Sequence, residues 1–132
     1  MKNKKVFIAC DTGKVSFAKK IIRETNTSKL NIGYKFGLEF LNSKKGRHFL
    51  SKLNGKTIFA DLKLNDIPNT CVSTVKTIKD LKINYLTVHI SSGLESLKAI
   101  KKVSGKIKIV GVTTLTSLDD KNLKQIGYNK SV

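Results

Sequence analysis

A chain of 132 residues is long enough to bury a hydrophobic core without a disulfide or metal staple. Its 26 basic and 9 acidic residues give a formal charge of +17, which invites a nucleic-acid-binding function. Only Arg23 and Arg47 are arginines, however, and bidentate recognition of phosphate or guanine favours arginine over lysine. The lysines are spread along the chain without a run of five basic residues. We interpret the charge mainly as solvated helix surface, with a nucleic-acid-binding module as the alternative.

Cysteine usage and hydropathy are typical of a protein from a reducing compartment. Cys10 and Cys71 lie far apart and form no C-x-x-C motif. Reduced, buried thiols are therefore the expected state, and one disulfide is the alternative. The apolar run at residues 6–10 is too short for a signal peptide's hydrophobic region, and no stretch approaches transmembrane length. The sequence predicts a cytoplasmic protein without a membrane partner.

Short apolar runs alternate with amphipathic segments along the chain. The runs are typical of buried strands and fall at residues 6–10, 32–36, 57–60, 85–90 and 107–112. Between them, apolar residues recur at helical spacing, as in Val15, Ala18, Ile21 and Ile22, or in Val72, Val75, Ile78 and Leu81. This alternation predicts an α/β fold with a parallel sheet, right-handed crossovers and a single domain over residues 1–132.

Polar residues follow or interrupt several of the predicted strands. Asp11, after the first strand, could bind a hydroxyl group or cap the next helix. Lys35 lies inside the second strand, and we expect it to contact a carboxylate because an unpaired lysine among apolar residues is costly. His89 ends the fourth strand and is interpreted as a hydrogen-bonded neighbour rather than a general base. The hydroxyl groups at residues 91–92 and 113–117 fit either a polar ligand or ordinary turns and caps.

The third strand leads into the most informative stretch of the chain, T-I-F-A-D-L-K-L-N-D-I-P-N-T at residues 57–70. Successive side chains of a strand point to opposite faces, so Asp61 and Lys63 share one face. They stand at the C-terminal end of the strand, where chemistry is found in parallel α/β folds. Pro68 suits the first position of the next helix, with Asp66 as its cap. Taken alone, Asp61 and Lys63 are better explained as a structural ion pair.

The order Asp-x-Lys-x-x-Asp-Ile-Pro-Asn-Thr, from Asp61 to Thr70, closely resembles the signature of the orotidine 5′-phosphate decarboxylase family. Related sugar-phosphate decarboxylases and synthases share its first six positions but usually lack the Ile-Pro-Asn-Thr that follows. Four further blocks look like the N-terminal portion of the same family, at residues 8–11, 35–39, 88–89 and 112–117. The resemblance implies an incomplete (β/α)8 TIM barrel, about the first five βα units, in a single partial domain.

The resemblance also implies a reaction and a catalytic set. The enzyme would convert orotidine 5′-phosphate to UMP and carbon dioxide in de novo pyrimidine biosynthesis, without a metal or cofactor. Lys63 would donate a proton to C6, Asp61 would crowd the substrate carboxylate, and Lys35 would hold the charged array in register. Asp66 would complete that array from the neighbouring subunit of a homodimer. A fixed cation beside C6 suits this reaction because its effect is greatest when negative charge develops there.

The remaining implied contacts are to the substrate. Asp11, together with Lys35, would bind the ribose hydroxyls, and Thr116 would lie near the base. Ile67 and Thr70 would reach across the dimer interface into the partner's site, where Thr70 would touch the ribose. The resemblance thus distributes the binding residues over both subunits of the expected homodimer.

Two departures from the family pattern are visible. Asn65 replaces the histidine that often precedes the last aspartate, which we expect to change a hydrogen bond and little more. The family's later strands, whose arginine and glutamine loops clamp the phosphate, have no counterpart, so the chain looks truncated. It should decarboxylate poorly or not at all by itself, because remote phosphate binding contributes to transition-state stabilisation. A non-catalytic half-barrel that needs a partner chain is the alternative from a different functional class.

Overall fold

The computed structural model describes residues 4–129 and contains one parallel sheet with the strand order β1-β2-β3-β4-β5. The strands are β1 (Lys5–Ala9), β2 (Asn31–Gly37), β3 (Thr57–Leu64), β4 (Tyr85–His89) and β5 (Lys108–Val112). All five predicted strands are confirmed. The main difference is in β3, which continues past the apolar run to Leu64, so that Asp61 and Lys63 lie within the strand itself.

Helices connect each strand to the next. They are α1 (Val15–Glu24), α2 (Leu38–Asn42), α3 (Lys44–Lys52), α4 (Pro68–Thr77), α5 (Gly93–Ser104) and, after β5, α6 (Asp120–Gln125). Short 3-10 turns at Lys79–Leu81 and Ile90–Ser92 complete the connections. Across residues 4–129, none of these helices combines the length and apolar character needed to cross a bilayer.

The sequence predicted that Pro68 opens helix α4 and that Asp66 caps it, and only the first of these predictions is confirmed. The helix begins at Pro68, as expected for a proline at a first helical position. The expectation that Asp66 caps it is wrong, because the capping position is Ile67 and its side chain makes no capping bond. Asp66 lies one residue too early, and its Oδ1 instead accepts a hydrogen bond from the Ile67 N–H at 2.7 Å.

One face of the sheet carries the hydrophobic core. Since the strands are parallel and in sequence order, each right-handed crossover steps in the same direction and places its helix on the same face. We call this the helix-covered face, and its strand residues are fully or almost fully buried: Tyr34, Phe36, Ile58, Leu86 and Val88. Helix residues such as Ala18, Leu50 and Val75 pack into the same cluster. The fold therefore buries its apolar side chains between sheet and helices.

Three aromatic side chains, from β1, β3 and β4, pack together on the opposite face of the sheet, which we call the open face. Phe7 makes edge contacts with Phe59 and Tyr85, with ring centroids 5.0 Å apart in both pairs. Gly33, on the strand between them, makes this possible, because a Cβ there would lie only 2.5 Å from the Phe7 ring. These three rings, the aromatic layer, are half-buried and form the floor beneath the polar residues that follow along β2, β3 and β4.

Candidate active site

Three charged side chains meet on the open face, next to the aromatic layer. The Lys35 Nζ on β2 lies 3.2 Å from Asp61 Oδ2, and the Lys63 Nζ on β3 lies 2.9 Å from the same oxygen. The expectation that Lys35 contacts a carboxylate is confirmed, as is the expectation that Asp61 and Lys63 share one face. We refer to Lys35, Asp61 and Lys63 as the charged trio.

Sequence reasoning missed a fourth residue that contacts the charged trio. The Thr87 hydroxyl on β4 donates to Asp61 Oδ1 at 2.9 Å, and the Thr87 hydroxyl oxygen in turn accepts a hydrogen bond from the Lys63 N–H at 2.8 Å. Thr87 is only 5% exposed. A hydroxyl within an otherwise apolar buried strand needs a hydrogen-bond partner, and that was the signal in the sequence that could have identified it.

The backbone around Lys63 is irregular. Lys63 has a φ of 48°, in the left-handed region that residues other than glycine seldom adopt. The pairing of β3 with β4 shifts here, since Ala60 pairs with Leu86 while Leu64 pairs with Val88. Four steps along β3 thus match two steps along β4, and β3 bulges between the two pairs. The bulge carries Lys63 out of regular strand geometry and leaves its amide to the Thr87 hydroxyl.

The Asp61 carboxyl group remains ionised at neutral pH despite its burial. Burial opposes the charged form, but hydrogen bonds from Lys63, Thr87 and Lys35 and the nearby Lys63 charge outweigh it and hold the pKa of Asp61 below its ordinary value. Two ammonium groups thus share one carboxylate oxygen, and the trio has a net positive charge. The lysine side chains are 29% exposed for Lys35 and 38% for Lys63, so both can be reached from the open face.

Asp11 lies at the same edge of the sheet, two residues after the end of β1. The Cys10 N–H before it donates to the Lys35 carbonyl at 2.8 Å, which fixes the end of β1 beside β2. Asp11 is exposed and does not cap α1, because the capping position is Lys14 and its side chain makes no capping bond. Of the two readings of Asp11, helix capping is therefore wrong, and binding a hydroxyl group stays a prediction.

Asp66 lies on the loop that follows β3. Within the described residues, neither lysine of the trio forms an ion pair with Asp66, and the Asp66 side chain is exposed. Its backbone carbonyl accepts hydrogen bonds from the buried Ser96 hydroxyl at 2.9 Å and from the Cys71 thiol at 3.3 Å. The next residue, Ile67, is 66% exposed. The loop is thus held firmly by α4 and α5 while its side chains face outward.

The loop after β5 carries the last predicted site residue, Thr116, which is exposed. Its neighbours Thr113 and Thr114 line a surface pocket together with Asn65 and His89, whereas Thr116 is not part of that lining.

His89 is half-buried, and its backbone carbonyl accepts a hydrogen bond from the Ser92 hydroxyl at 2.7 Å. Thr70, on the first turn of α4, is exposed as well. The structure therefore brings together Lys35, Asp61 and Lys63, and leaves Asp66, Ile67, Thr70 and Thr116 outside the trio.

The family of the chain follows from a comparison with known proteins. A model of the Orotidine 5′-phosphate decarboxylase / HUMPS family matches residues 4–132. The chain belongs to this family. The match includes all the residues of the charged trio and Thr87, so the geometry described above belongs to a member of the orotidine 5′-phosphate decarboxylase / HUMPS family.

Curated relatives support the same assignment. An orotidine 5′-phosphate decarboxylase of Ehrlichia canis (strain Jake) is 47% identical over 104 residues, which are 74% of this chain and 44% of the relative. One of Wolbachia sp. subsp. Brugia malayi (strain TRS) is 39% identical over 132 residues, covering 96% of this chain and 57% of the relative. The chain thus spans about half the length of the curated relatives it matches.

Solved structures of the family confirm the fold class. The crystal structure of orotidine 5′-phosphate decarboxylase from Lactobacillus acidophilus superposes with a TM-score of 0.85 at 30% identity, over 97% of this chain and 61% of that one. The enzyme from Pyrococcus horikoshii OT3 gives 0.66 at 25% identity, over 82% and 50% of the two chains. The five parallel βα units correspond to part of the barrel in these family members, as predicted for an incomplete (β/α)8 fold.

Proposed function

We propose that this chain carries the charged centre of an orotidine 5′-phosphate decarboxylase, a carboxy-lyase that forms UMP and carbon dioxide in de novo pyrimidine biosynthesis. The observation that carries the proposal is the Lys63 ammonium, held 2.9 Å from Asp61 on the open face and still 38% exposed. A lysine in this position is fixed in direction by its carboxylate partner and remains available to a substrate. Membership of the family supplies the reaction to which such a cation is suited.

The chemistry follows from the charges of the trio. Cleavage of the bond between C6 and the carboxylate leaves an electron pair on C6, and the Lys63 ammonium beside that carbon stabilises the developing charge and then transfers a proton to it. Asp61, kept anionic by its hydrogen bonds, repels the substrate carboxylate, and this repulsion is relieved when neutral carbon dioxide departs. With the substrate bound, two carboxylates, one of Asp61 and one of the substrate, lie near the two lysines. Lys35 balances one of these negative charges and fixes the position of Asp61.

The substrate-binding roles are distributed over the carboxyl ends of the strands. We assign the ribose hydroxyls to Asp11 and Lys35, which the Cys10 to Lys35 backbone hydrogen bond holds at one edge of the sheet. Thr116, in the loop after β5, is assigned to the base. Contacts to the phosphate are assigned to the family's later strands, since the chain spans only about half of its relatives.

A homodimer would complete the site. The trio has a net positive charge, and the fourth predicted member of the array, Asp66, is exposed and forms no ion pair with the trio within the described part of its own chain. We therefore propose that Asp66 neutralises the trio of a second copy, with exposed Ile67 and Thr70 contributed across the same interface. The assembly would act in the cytoplasm, with residues 1–132 forming one partial barrel domain.

A lysine substitution with a matched control tests the proposed proton donor. Lys63→Ala should lower decarboxylation of orotidine 5′-phosphate by about 10³-fold or more, the upper range for removal of a positioned acid. Lys82 is the control, since it too has a left-handed backbone, with φ of 50°, but its ammonium binds Asn54 on the surface. Lys82→Ala should leave turnover within about twofold.

The assay should be run on two forms of the protein, by following the conversion of orotidine 5′-phosphate to UMP. One is the 132-residue chain, and the other is the same chain followed by the C-terminal part of the Wolbachia relative that its match, which covers 96% of this chain, does not include. Turnover by the Lys63→Ala variant close to wild type would exclude Lys63 as proton donor. Absence of turnover in both wild-type forms would refute the proposed function and favour a non-catalytic half-barrel.

A further inference from the structure

The hydrogen bonds of Thr87 have fixed directions. A hydroxyl group has one proton to donate and lone pairs to accept with, whereas a backbone N–H can only donate and an ionised carboxylate can only accept. The Thr87 hydroxyl must therefore accept from the Lys63 N–H and donate to Asp61 Oδ1. The bond to Asp61 is buried from water, since Thr87 is 5% exposed and Asp61 8%, and the bond from Lys63 is partly buried. One side chain thus links the backbone of the lysine to the carboxylate that its own ammonium contacts.

The bulge in β3 makes this link necessary. In a regular parallel ladder the Lys63 N–H would find a carbonyl acceptor on the neighbouring strand, but the register shift between the Ala60 and Leu64 pairs interrupts that ladder. The Thr87 side chain supplies the acceptor instead. A lysine with φ of 48° persists only where surrounding contacts hold it there. Without the hydroxyl, the backbone at Lys63 has an unpaired, partly buried donor and is free to relax toward ordinary extended geometry.

We propose that Thr87 is a positioning residue that orients Asp61 and Lys63 relative to each other through its two hydrogen bonds, and so determines where the ammonium stands on the open face. The proposal rests on the proposed function for its catalytic consequence. Thr87 itself contacts no reacting atom. Its effect passes through the carboxylate on one side and the lysine backbone on the other.

Three substitutions separate positioning from simple packing. Thr87→Val keeps the shape of the side chain and removes the hydroxyl, Thr87→Ser keeps the hydroxyl, and Thr87→Cys substitutes a weak donor of similar size. Thr77→Val is the matched control, because the Thr77 hydroxyl is exposed and donates to the Thr74 carbonyl within α4. The carboxyl resonance of Asp61, followed by NMR as the pH is lowered, reports on the carboxylate directly in the 132-residue chain.

In this titration, Thr87→Val should raise the pKa of Asp61 relative to wild type, because one of the hydrogen bonds that stabilise the ionised form is lost. Thr87→Ser and Thr77→Val should titrate as wild type does. If Thr87→Val fails to fold, Thr87→Cys must still raise the pKa of Asp61. An unchanged titration in the folded hydroxyl-free variant would overturn the proposal.

Kinetics then test the catalytic consequence, in whichever form of the protein turns over substrate. Thr87→Val should lower kcat about tenfold or more, because both hydrogen bonds of the hydroxyl are lost, and should change KM by less than about twofold because Thr87 contacts no substrate. Thr87→Ser should restore kcat. A raised Asp61 pKa with an unchanged kcat would overturn the positioning role. If the wild-type forms show no turnover, the proposed function fails, and the Asp61 titration alone decides whether Thr87 orients the pair.

Discussion

The two faces of the sheet are built from the same strands but serve different purposes. On the helix-covered face, strand residues such as Phe36 and Leu86 are completely buried among helix side chains. On the open face, the aromatic layer is half-buried and the lysines of the charged trio remain partly exposed. A strand that alternates between these faces can supply stability with one set of residues and chemistry with the other.

This difference explains how the chain accommodates charges next to a hydrophobic core. The carboxylate of Asp61 is buried, but it accepts a hydrogen bond from Thr87 and forms ion pairs with Lys35 and Lys63. The side chains of the two lysines are 29% and 38% exposed, so their desolvation is incomplete. The same charges on the helix-covered face would lie among apolar side chains without partners. The placement of the trio therefore depends on the sheet having one face without a complete cover of apolar groups.

The largest expected effect separates the two faces by their contribution to stability. Phe36→Ala should lower the free energy of unfolding by about 3–5 kcal/mol, because the ring is fully buried and its removal leaves a cavity. Phe59→Ala, on the half-buried aromatic layer, should lower it by only about 1–2 kcal/mol. Urea unfolding followed by circular dichroism measures both values, and Phe36→Leu provides a milder core variant if Phe36→Ala does not fold. Equal losses at the two positions would remove the distinction between the faces.

A smaller effect concerns the charged trio and its dependence on pH. Asp61→Asn should lower the free energy of unfolding by about 1–3 kcal/mol at pH 7, because two ammonium groups lose their shared carboxylate. The pKa of Asp61 is lower in the folded than in the unfolded chain, so its contribution is complete above about pH 4 and is lost as the pH falls through the folded value. Urea unfolding of wild type and variant at pH 7 and at lower pH tests this sign.

The matched control for that substitution is the exposed pair of Arg47 and Asp80, whose side chains are 2.8 Å apart. Asp80→Asn should lower the free energy of unfolding by less than about 1 kcal/mol, since surface ion pairs are screened by water. The difference in the free energy of unfolding between wild type and Asp61→Asn should shrink as the pH is lowered. If it grew instead, the assigned direction of the Asp61 pKa shift would be contradicted. A loss at Asp80 as large as that at Asp61 would show that burial adds nothing to the trio.

The smallest expected effect is the chemical reactivity of the two cysteines. Both lie in the core on the helix-covered face, so their reaction with a thiol reagent measures whether that core opens to solvent. Cys10 and Cys71 are free and completely buried. Burial raises the pKa of the Cys10 thiol to about 11 and also raises that of Cys71. Neither thiol should react measurably with a maleimide at pH 7.5 in the native chain, and both should react in urea. Fast native labelling would show that the core opens readily.

Much of the fold could be predicted because each element depends on local pattern. The five apolar runs became strands, and the segments with helical spacing at Val15 and Val72 became parts of α1 and α4. Reduced, buried cysteines were predicted from their spacing, and both are free. Lys35 was expected to find a carboxylate because an unpaired lysine in a strand is costly, and its partner is Asp61. These predictions needed only the identity of the residues and the period of the pattern.

Other features could not be read from local pattern. Asp66 and Asp11 both had the right residue type for a helix cap, yet neither reaches the helix amides, because the loops place them too early. The left-handed backbone of Lys63 depends on a register shift between β3 and β4. The role of Thr87 depends on the same shift, since 24 residues separate it from Lys63 in the chain.

The sequence by itself determined the alternation of strands and helices, the face on which Asp61 and Lys63 stand, and the family, because periodicity and a continuous motif are properties of neighbouring residues. Only the tertiary structure decided that two lysines converge on one carboxylate oxygen, that a threonine on the next strand bonds to Asp61 and to the Lys63 backbone, and that Asp66 forms no ion pair with either lysine within the described residues. The physical reason is that hydrogen bonds and ion pairs act over about 3 Å in space, and the register between strands sets which distant residues come within that distance.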